Sequence, residues 1–312
     1  MRYRQYGKSA IKVSEVGLGT WQLGNHIDWS AMSDDDAIQL VKTAYAQGCN
    51  FFDTAPGYGR GNSERLLGEA LMGIRDQVVI NTKVGHTAEG ISDFSPEGIR
   101  RSVEESMQRL KTSYLDSVIL HNPPSEYLDG NSPQMQALQR MQYGGMINAY
   151  GASVDTLEEM HTILNTSGSS VIEILYNLFF QEAAQAFAQA ELQQVGIIIK
   201  VPLDSGWLSG KYNRSSSFSG VRARWTPLDI ERRSLLVEKL RQITDATNIS
   251  IAIVALRYIL AQSAVSTVIP GSKNVQQWEL NASASQEDLD PVLVQQLRDF
   301  WTQEIAQNPI PW

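Results

Sequence analysis

The chain has 312 residues, 42% of them hydrophobic and 19% charged, with a formal net charge of −8. This is the composition of a globular protein long enough to bury a large core, and it excludes nucleic acid as a main partner, since no Lys/Arg-rich run is present to meet phosphates. Cys49 is the only cysteine, which excludes an intrachain disulfide and a CxxC metal site, and without a signal-peptide-like start or a bilayer-length apolar run, the expected setting is a reducing cytoplasm with no membrane and no metal.

Strand-like and helical stretches alternate along the chain. Residues 13–21 read as a strand ending in Gly17-Leu18-Gly19-Thr20-Trp21. Ser33 followed by Asp34, Asp35 and Asp36 supplies a cap and first-turn acids for a helix with Ile38, Val41, Ala44 and Tyr45 on one face. A second strand, Asn50-Phe51-Phe52-Asp53, breaks at Pro56-Gly57, and a helix over 63–72 follows. The third strand covers 77–84, and Ser95-Pro96-Glu97 then starts a helix whose apolar face is Ile99, Val103, Met107 and Leu110. The fourth strand, 115–121, stops at Pro123-Pro124.

After a short helix near 134–142, a fifth strand is predicted at 147–153, with Asp155 capping a helix through 164. The sixth and seventh strands fall at 171–177 and 196–203, separated by an alanine-rich helix over 181–194. A serine-rich segment, 212–227, is too long for a usual βα loop and reads as an excursion or lid. Helices at 230–246 and 250–262 precede the eighth strand, 265–269, and helices at 275–284 and 288–306 close the chain.

Continuous Val/Ile/Leu runs suit parallel strands buried on both faces. An open doubly wound sheet is the rival, but the first strand lacks the GxGxxG turn of a dinucleotide-binding unit. The predicted architecture is one α/β domain over 1–312, a (β/α)8 TIM barrel with C-terminal helices and loops over its mouth.

In such a barrel the strand ends share one mouth. The second strand brings Asp53 and Tyr58, the third Lys83 and the fourth His121. A phenol of ordinary pKa about 10 is a poor acid at neutral pH, and a nearby ammonium favours its ionised form. That ammonium needs a carboxylate to stay charged in a cleft, a role open to Asp53. The set therefore reads as a tuned general acid that protonates an alkoxide, with His121 polarising the same oxygen.

The sequence also resembles the aldo-keto reductases over nearly its whole length. The resemblance rests on Gly17-Leu18-Gly19-Thr20-Trp21, Asp53-Thr54-Ala55 with Tyr58-Gly59, Ser63-Glu64, Thr82-Lys83, Leu120-His121, Tyr150-Gly151-Ala152-Ser153, Tyr176-Asn177, Pro202-Leu203 with Ser205-Gly206, Leu208-Ser209-Gly210-Lys211-Tyr212 and Ile269-Pro270-Gly271. It implies a catalytic tetrad of Asp53, Tyr58, Lys83 and His121 and NADPH-dependent reduction of a small-molecule aldehyde or ketone, reversible in principle.

The resemblance places Gly19, Thr20, Trp21 and Asp53 near the nicotinamide ribose and Ser153 at the carboxamide. It departs at three positions: Val154 replaces an asparagine, Glu173 the usual carboxamide glutamine, and Lys200 a frequent stacking aromatic. A carboxylate cannot donate to the amide oxygen unless protonated, and a Lys200–Glu173 salt bridge is expected to explain both changes. Leu203, Ser205 and Leu208 match the pyrophosphate loop. Gly271, Ser272 and Lys273 match the 2′-phosphate site, and Gln277 and Asn281 the adenine side. Lys273 favours a phosphate, while Gln277 in place of a frequent arginine points to a modest preference over NADH.

Substrate candidates are Trp21, Trp29, His86, Asn122 and Trp225, with Trp207, His26, Asp28 and the tail 308–312 as further rim groups. A cofactor-binding regulatory or scaffold subunit on the same fold is the second functional reading. A hydrolase or isomerase would need paired carboxylates at the mouth.

Overall fold

The computed structural model describes residues 1–9, 11–29 and 32–312. Eight parallel strands lie side by side in chain order: β3 (Leu18–Gly19), β4 (Phe51–Asp53), β5 (Val79–Val84), β6 (Leu115–His121), β7 (Ile147–Val154), β8 (Val171–Leu175), β9 (Gly196–Lys200) and β10 (Val265–Val268). The first and last meet through bridges between Val16 and Val268 and between Gly19 and Gly271, which close the barrel. The seam is held by Gly17 N donating to the Val268 carbonyl and Val268 N to the Glu15 carbonyl, both at 2.9 Å. A Cβ at Gly19 would stand 2.8 Å from the Ile269 carbonyl oxygen, so the close approach requires glycine.

The predicted first strand is two pieces. Lys12–Ser14 (β2) pairs antiparallel with Tyr3–Gln5 (β1), and only Leu18–Gly19 joins the barrel. A short, partly polar strand such as Lys12–Ser14 carries too little alternation to be told apart from the barrel strand it runs into. From this hairpin Tyr6 and Val13 join Phe51, Val79, Ile119, Ala149, Val171, Ile198 and Ile269 in the inner cluster. Their neighbours along the strands, such as Phe52, Ile80, Val118, Ala152 and Ile197, face the helices instead. This two-residue alternation decides which polar side chains enter the barrel.

The helices are α1 (Asp34–Ala46), α2 (Asn62–Ala70), α3 (Pro96–Arg109), α4 (Pro133–Tyr143), α5 (Leu157–Thr166), α6 (Phe187–Leu192), α7 (Pro227–Thr244), α8 (Ile251–Leu260), α9 (Val275–Ala282) and α10 (Pro291–Glu304). Ser33, Ser95 and Ser250 accept from the backbone N–H of Asp36, Gly98 and Ile253 and so fix the starts of α1, α3 and α8. The predicted Asp155 cap is overturned: Thr156 caps α5 in a reciprocal box with Glu159, which frees Asp155 for the mouth. The helix expected over 181–194 divides into a 3-10 stretch, Glu182–Ala186, and α6. No single helix among the described residues is long and apolar enough to cross a membrane.

The excursion at 212–227 is anchored by aromatic packing. Phe218 lies 5.5 Å and Trp225 5.8 Å from Trp207, ring centre to ring centre. Arg233 on α7 forms a fully buried ion pair with Asp204 at 3.0 Å and also donates to the Pro311 carbonyl at 2.6 Å. The loop after β9, the excursion and the C-terminal tail are thereby tied together.

Candidate active site

The ends of β4, β5 and β6 deliver Asp53, Lys83 and His121 to one mouth, and the turn after β4 delivers Tyr58. Lys83 Nζ donates to both Asp53 carboxylate oxygens, at 2.6 and 2.7 Å, and to the Thr54 carbonyl at 3.1 Å. The same ammonium lies 5.3 Å from the centre of the Tyr58 ring. The His121 ring stands edge-on to Tyr58 at 6.2 Å. Below them runs a polar ladder: Tyr6 Oη shares a hydrogen with Ser117 Oγ at 2.8 Å, Ser117 donates to Asn81 Oδ1 at 2.7 Å, and Asn81 Nδ2 donates to Asp53 Oδ2 at 2.7 Å.

Burial dominates the electrostatics. It pushes the Tyr58 phenol above its ordinary value; Lys83 pulls the other way, but Asp53 and Glu173 oppose it. The expected net lowering of the phenol's pKa is therefore not found. Burial also works against the Lys83 charge, yet Asp53 and Glu173 outweigh it and the ammonium is held well above its usual range. Asp53 is raised to about 7 by burial and by Glu173, against Lys83 and Asn81. His121 is pushed well below its usual value by burial, then by Lys83, Lys200 and His86, which makes it a neutral imidazole.

The expected Lys200–Glu173 salt bridge does not form. Lys200 Nζ pairs with Asp155 Oδ1 at 2.9 Å and donates to Asn122 Oδ1 at 2.8 Å and Ser153 Oγ at 2.9 Å. Glu173 points inward from β8, 3.4 Å from Lys83 Nζ, and its other oxygen lies 3.0 Å from Ser153 Oγ. The physical reason is register along the barrel axis: Ser153 and Glu173 are paired on adjacent strands, and Glu173 stands opposite Ile198, whereas Lys200 is opposite Leu175, one layer nearer the mouth and within reach of Asp155.

Around Tyr58 the rim is aromatic. Trp21 stacks against it at 6.0 Å and meets Trp29 edge-on at 5.2 Å. Trp21 Nε1 donates to Asp28 Oδ2 at 3.1 Å. His86 lies 5.4 Å from His121, and its Nδ1 is 3.0 Å from Ser92 Oγ. Asn122 donates to Asp155 at 2.8 Å, so its amide is engaged. Trp225 is only 7% exposed, and Trp207 is fully buried. Both belong to the packing under the excursion rather than to the rim.

The groups expected to hold a cofactor fall into three sets. Thr20 is buried, and its N–H and Oγ1 both bond the Asp53 carbonyl, at 2.9 and 2.7 Å, so it braces the strand end. Leu208 is likewise buried, with its N–H on the Leu203 carbonyl. Ser272 and Asn281 bond each other at 3.1 Å, the Lys273 N–H bonds Gln277 Oε1 at 3.0 Å, and the Lys273 side chain is exposed. The loop after β9 holds Val201, Asp204 and Ser205 at positive φ (51°, 43° and 52°), a conformation non-glycine residues rarely adopt.

Sequence reasoning missed several site residues. Arg222 Nε donates to the Ser205 carbonyl at 3.0 Å, and an Arg224 nitrogen lies 3.3 Å from Ser205 Oγ. Arg222 also stacks on Trp29, with its guanidinium 4.5 Å from the ring centre. In a serine-rich segment two arginines carry no signal of their own. Asn81 was findable: it lies two residues before Lys83 and so shares its face. Gln22 Oε1 is buried without a hydrogen-bond partner, and a Cβ on Gly271 would fall 2.3 Å from it.

These features fit a nicotinamide dinucleotide. An acceptor lacking a donor (Gln22) lies beside Gly271, two guanidinium groups flank the strained Ser205 loop, and an exposed ammonium follows β10. Ser153, Asn122 and Glu173 offer mixed donors and acceptors next to Lys83, suited to an amide.

The sequence matches the model of the Aldo/keto reductase family over residues 15–302. It is 29% identical over 290 residues to an L-galactose dehydrogenase of Arabidopsis thaliana, spanning 90% of this chain and 87% of that protein. It is 28% identical over 319 residues to an NADH-specific methylglyoxal reductase of Escherichia coli (strain K12), spanning 94% and 97%. A solved aldo-keto reductase from Bacillus halodurans, in its holo form, superposes with a TM-score of 0.82 at 25% identity, covering 96% of each chain.

Proposed function

Because the chain belongs to the aldo/keto reductase family, we propose that it reduces an aldehyde or ketone to the alcohol, reversibly, with NADPH preferred and NADH accepted. The observation that carries this reading is the contact of Lys83 Nζ with Asp53 at 2.6 Å directly beneath the Tyr58 phenol. When bound, the nicotinamide supplies a hydride to the carbonyl carbon. Neutral His121 donates a hydrogen bond to the substrate oxygen and orients it. Tyr58 gives its proton to the alkoxide, and Lys83, kept charged by its carboxylates, stabilises the phenolate left behind. Trp21 and Trp29 wall the pocket and exclude water.

Ser153, Asn122 and Glu173 are proposed to hold the carboxamide, and Arg222 and Arg224 the pyrophosphate region. Lys273 is proposed to meet a 2′-phosphate. The NADH-specific relative makes the preference a matter for direct comparison. A buried, unpaired Cys49 suits a reducing cytoplasm. The test is turnover of NADPH or NADH with 4-nitrobenzaldehyde, followed at the nicotinamide absorbance band. Tight NADPH binding without turnover of any carbonyl would return the regulatory-subunit reading.

A further inference from the structure

Two carboxylates face one ammonium inside the barrel. The side chains of Lys83, Asp53 and Glu173 are 1%, 3% and 2% exposed. The charged and titratable groups packed around them leave this sum uncorrected. Lys200 and Asp155 cancel as a pair at the mouth; His121 is neutral; Tyr58 and, below, Tyr6 keep their protons; and Asp116 is paired with Arg75 at 2.7 Å. With both acids ionised, the cluster would hold an uncompensated negative charge out of water, which proteins avoid by binding a proton.

We propose that Asp53 and Glu173 share one resident proton across Lys83 and Asn81, and that Glu173 carries it, acting as a positioning residue that sets how strongly Lys83 supports the Tyr58 phenolate. The contacts identify the carrier. Asp53 receives Lys83 at 2.6 and 2.7 Å and Asn81 at 2.7 Å, as an ionised carboxylate should. Glu173 receives the same two donors only at 3.4 Å.

Protonated at Oε1, Glu173 donates to Ser153 Oγ across 3.0 Å, and the Ser153 hydrogen turns to Asn122 Oδ1 at 3.1 Å. Ser153 then accepts from Glu173 and Lys200 and donates to Asn122, so all its hydrogen-bonding capacity is used. The pair titrates as a unit.

The proton itself does not depend on the reductase reading; its effect on Tyr58 does, and the experiment separates the two. Infrared difference spectra of the cofactor-free protein between about pH 6 and pH 9 should show the C=O band of a buried carboxylic acid that vanishes at high pH. The band should be absent in E173Q and also in D53N, because each leaves one carboxylate to one ammonium; should one variant fail to fold, the other decides. No such band in the wild type, or an unchanged band in either variant, would overturn the proposal whether or not the protein reduces carbonyls. In the reductase assay, wild-type turnover should fall about tenfold as the pair loses its proton, the effect of roughly one pKa unit at Tyr58, while E173Q should stay flat over that range. A parallel fall in E173Q would overturn the link to Tyr58.

Discussion

Lys200 Nζ lies 2.9 Å from Asp155 Oδ1, which leaves Glu173 inside the barrel with Lys83 at 3.4 Å. The two residues expected to pair thus take separate places. Lys200 braces Asn122 and Ser153 at the mouth, and Glu173 adds a second buried acid beside Lys83.

That second acid makes stability depend on pH. Burial and then Glu173 raise Asp53 from an ordinary 3.8 to about 7, which marks the range over which the pair gives up its shared proton. A raised folded value means the site's contribution is full below the ordinary value and is lost as pH rises through about 7. Glu173→Gln removes the extra charge. Its Tm should exceed the wild type's by at least about 2 °C at alkaline pH, with the gap shrinking towards pH 4. A gap independent of pH in thermal melts would contradict the assignment.

Lys83→Met strands both carboxylates without their cation. Breaking a buried pair from one side costs about 3–5 kcal/mol, so the urea midpoint at neutral pH should drop accordingly. Part of the loss should return on acidification, as the two acids take up protons. A midpoint equal to the wild type's would show that the cluster is far better solvated than its burial indicates.

The Arg233–Asp204 pair ties the strained Ser205 loop to the C-terminal tail through Pro311. Arg233→Ala should cost about 3–5 kcal/mol for the same reason, and limited proteolysis should then cut the tail early. Unchanged protection of residues 308–312 would mean that packing alone holds them.

Lys273→Ala should weaken NADPH by about tenfold, the worth of roughly one charge-assisted hydrogen bond, and leave NADH unchanged. Equal losses for both cofactors would place the 2′-phosphate elsewhere.

The chain made the barrel and its mouth legible because long buried strands and strong helix caps are local signals. Asp53, Tyr58, Lys83 and His121 stood out because each lies at or just past a strand end. The hairpin of β1 and β2 was invisible, since three-residue strands take their meaning from the barrel floor they cover. Thr156 outcompeted Asp155 as a cap because Glu159 completes a reciprocal box. Glu173 was matched with the wrong lysine because charge alone names partners, while the register of β8 against β9 sets Lys200 one layer nearer the mouth than Glu173. Arg222 and Arg224 reach Ser205 only through a loop path that no periodicity encodes.

The most direct test of the central claim is Tyr58→Phe, with NADPH turnover on 4-nitrobenzaldehyde measured alongside NADPH binding by fluorescence. Loss of the general acid should lower kcat by about 10²–10⁴-fold while NADPH affinity stays within about twofold, since the phenol's hydroxyl serves proton transfer and not cofactor binding. Turnover within a few-fold of the wild type's would contradict Tyr58 as the proton donor.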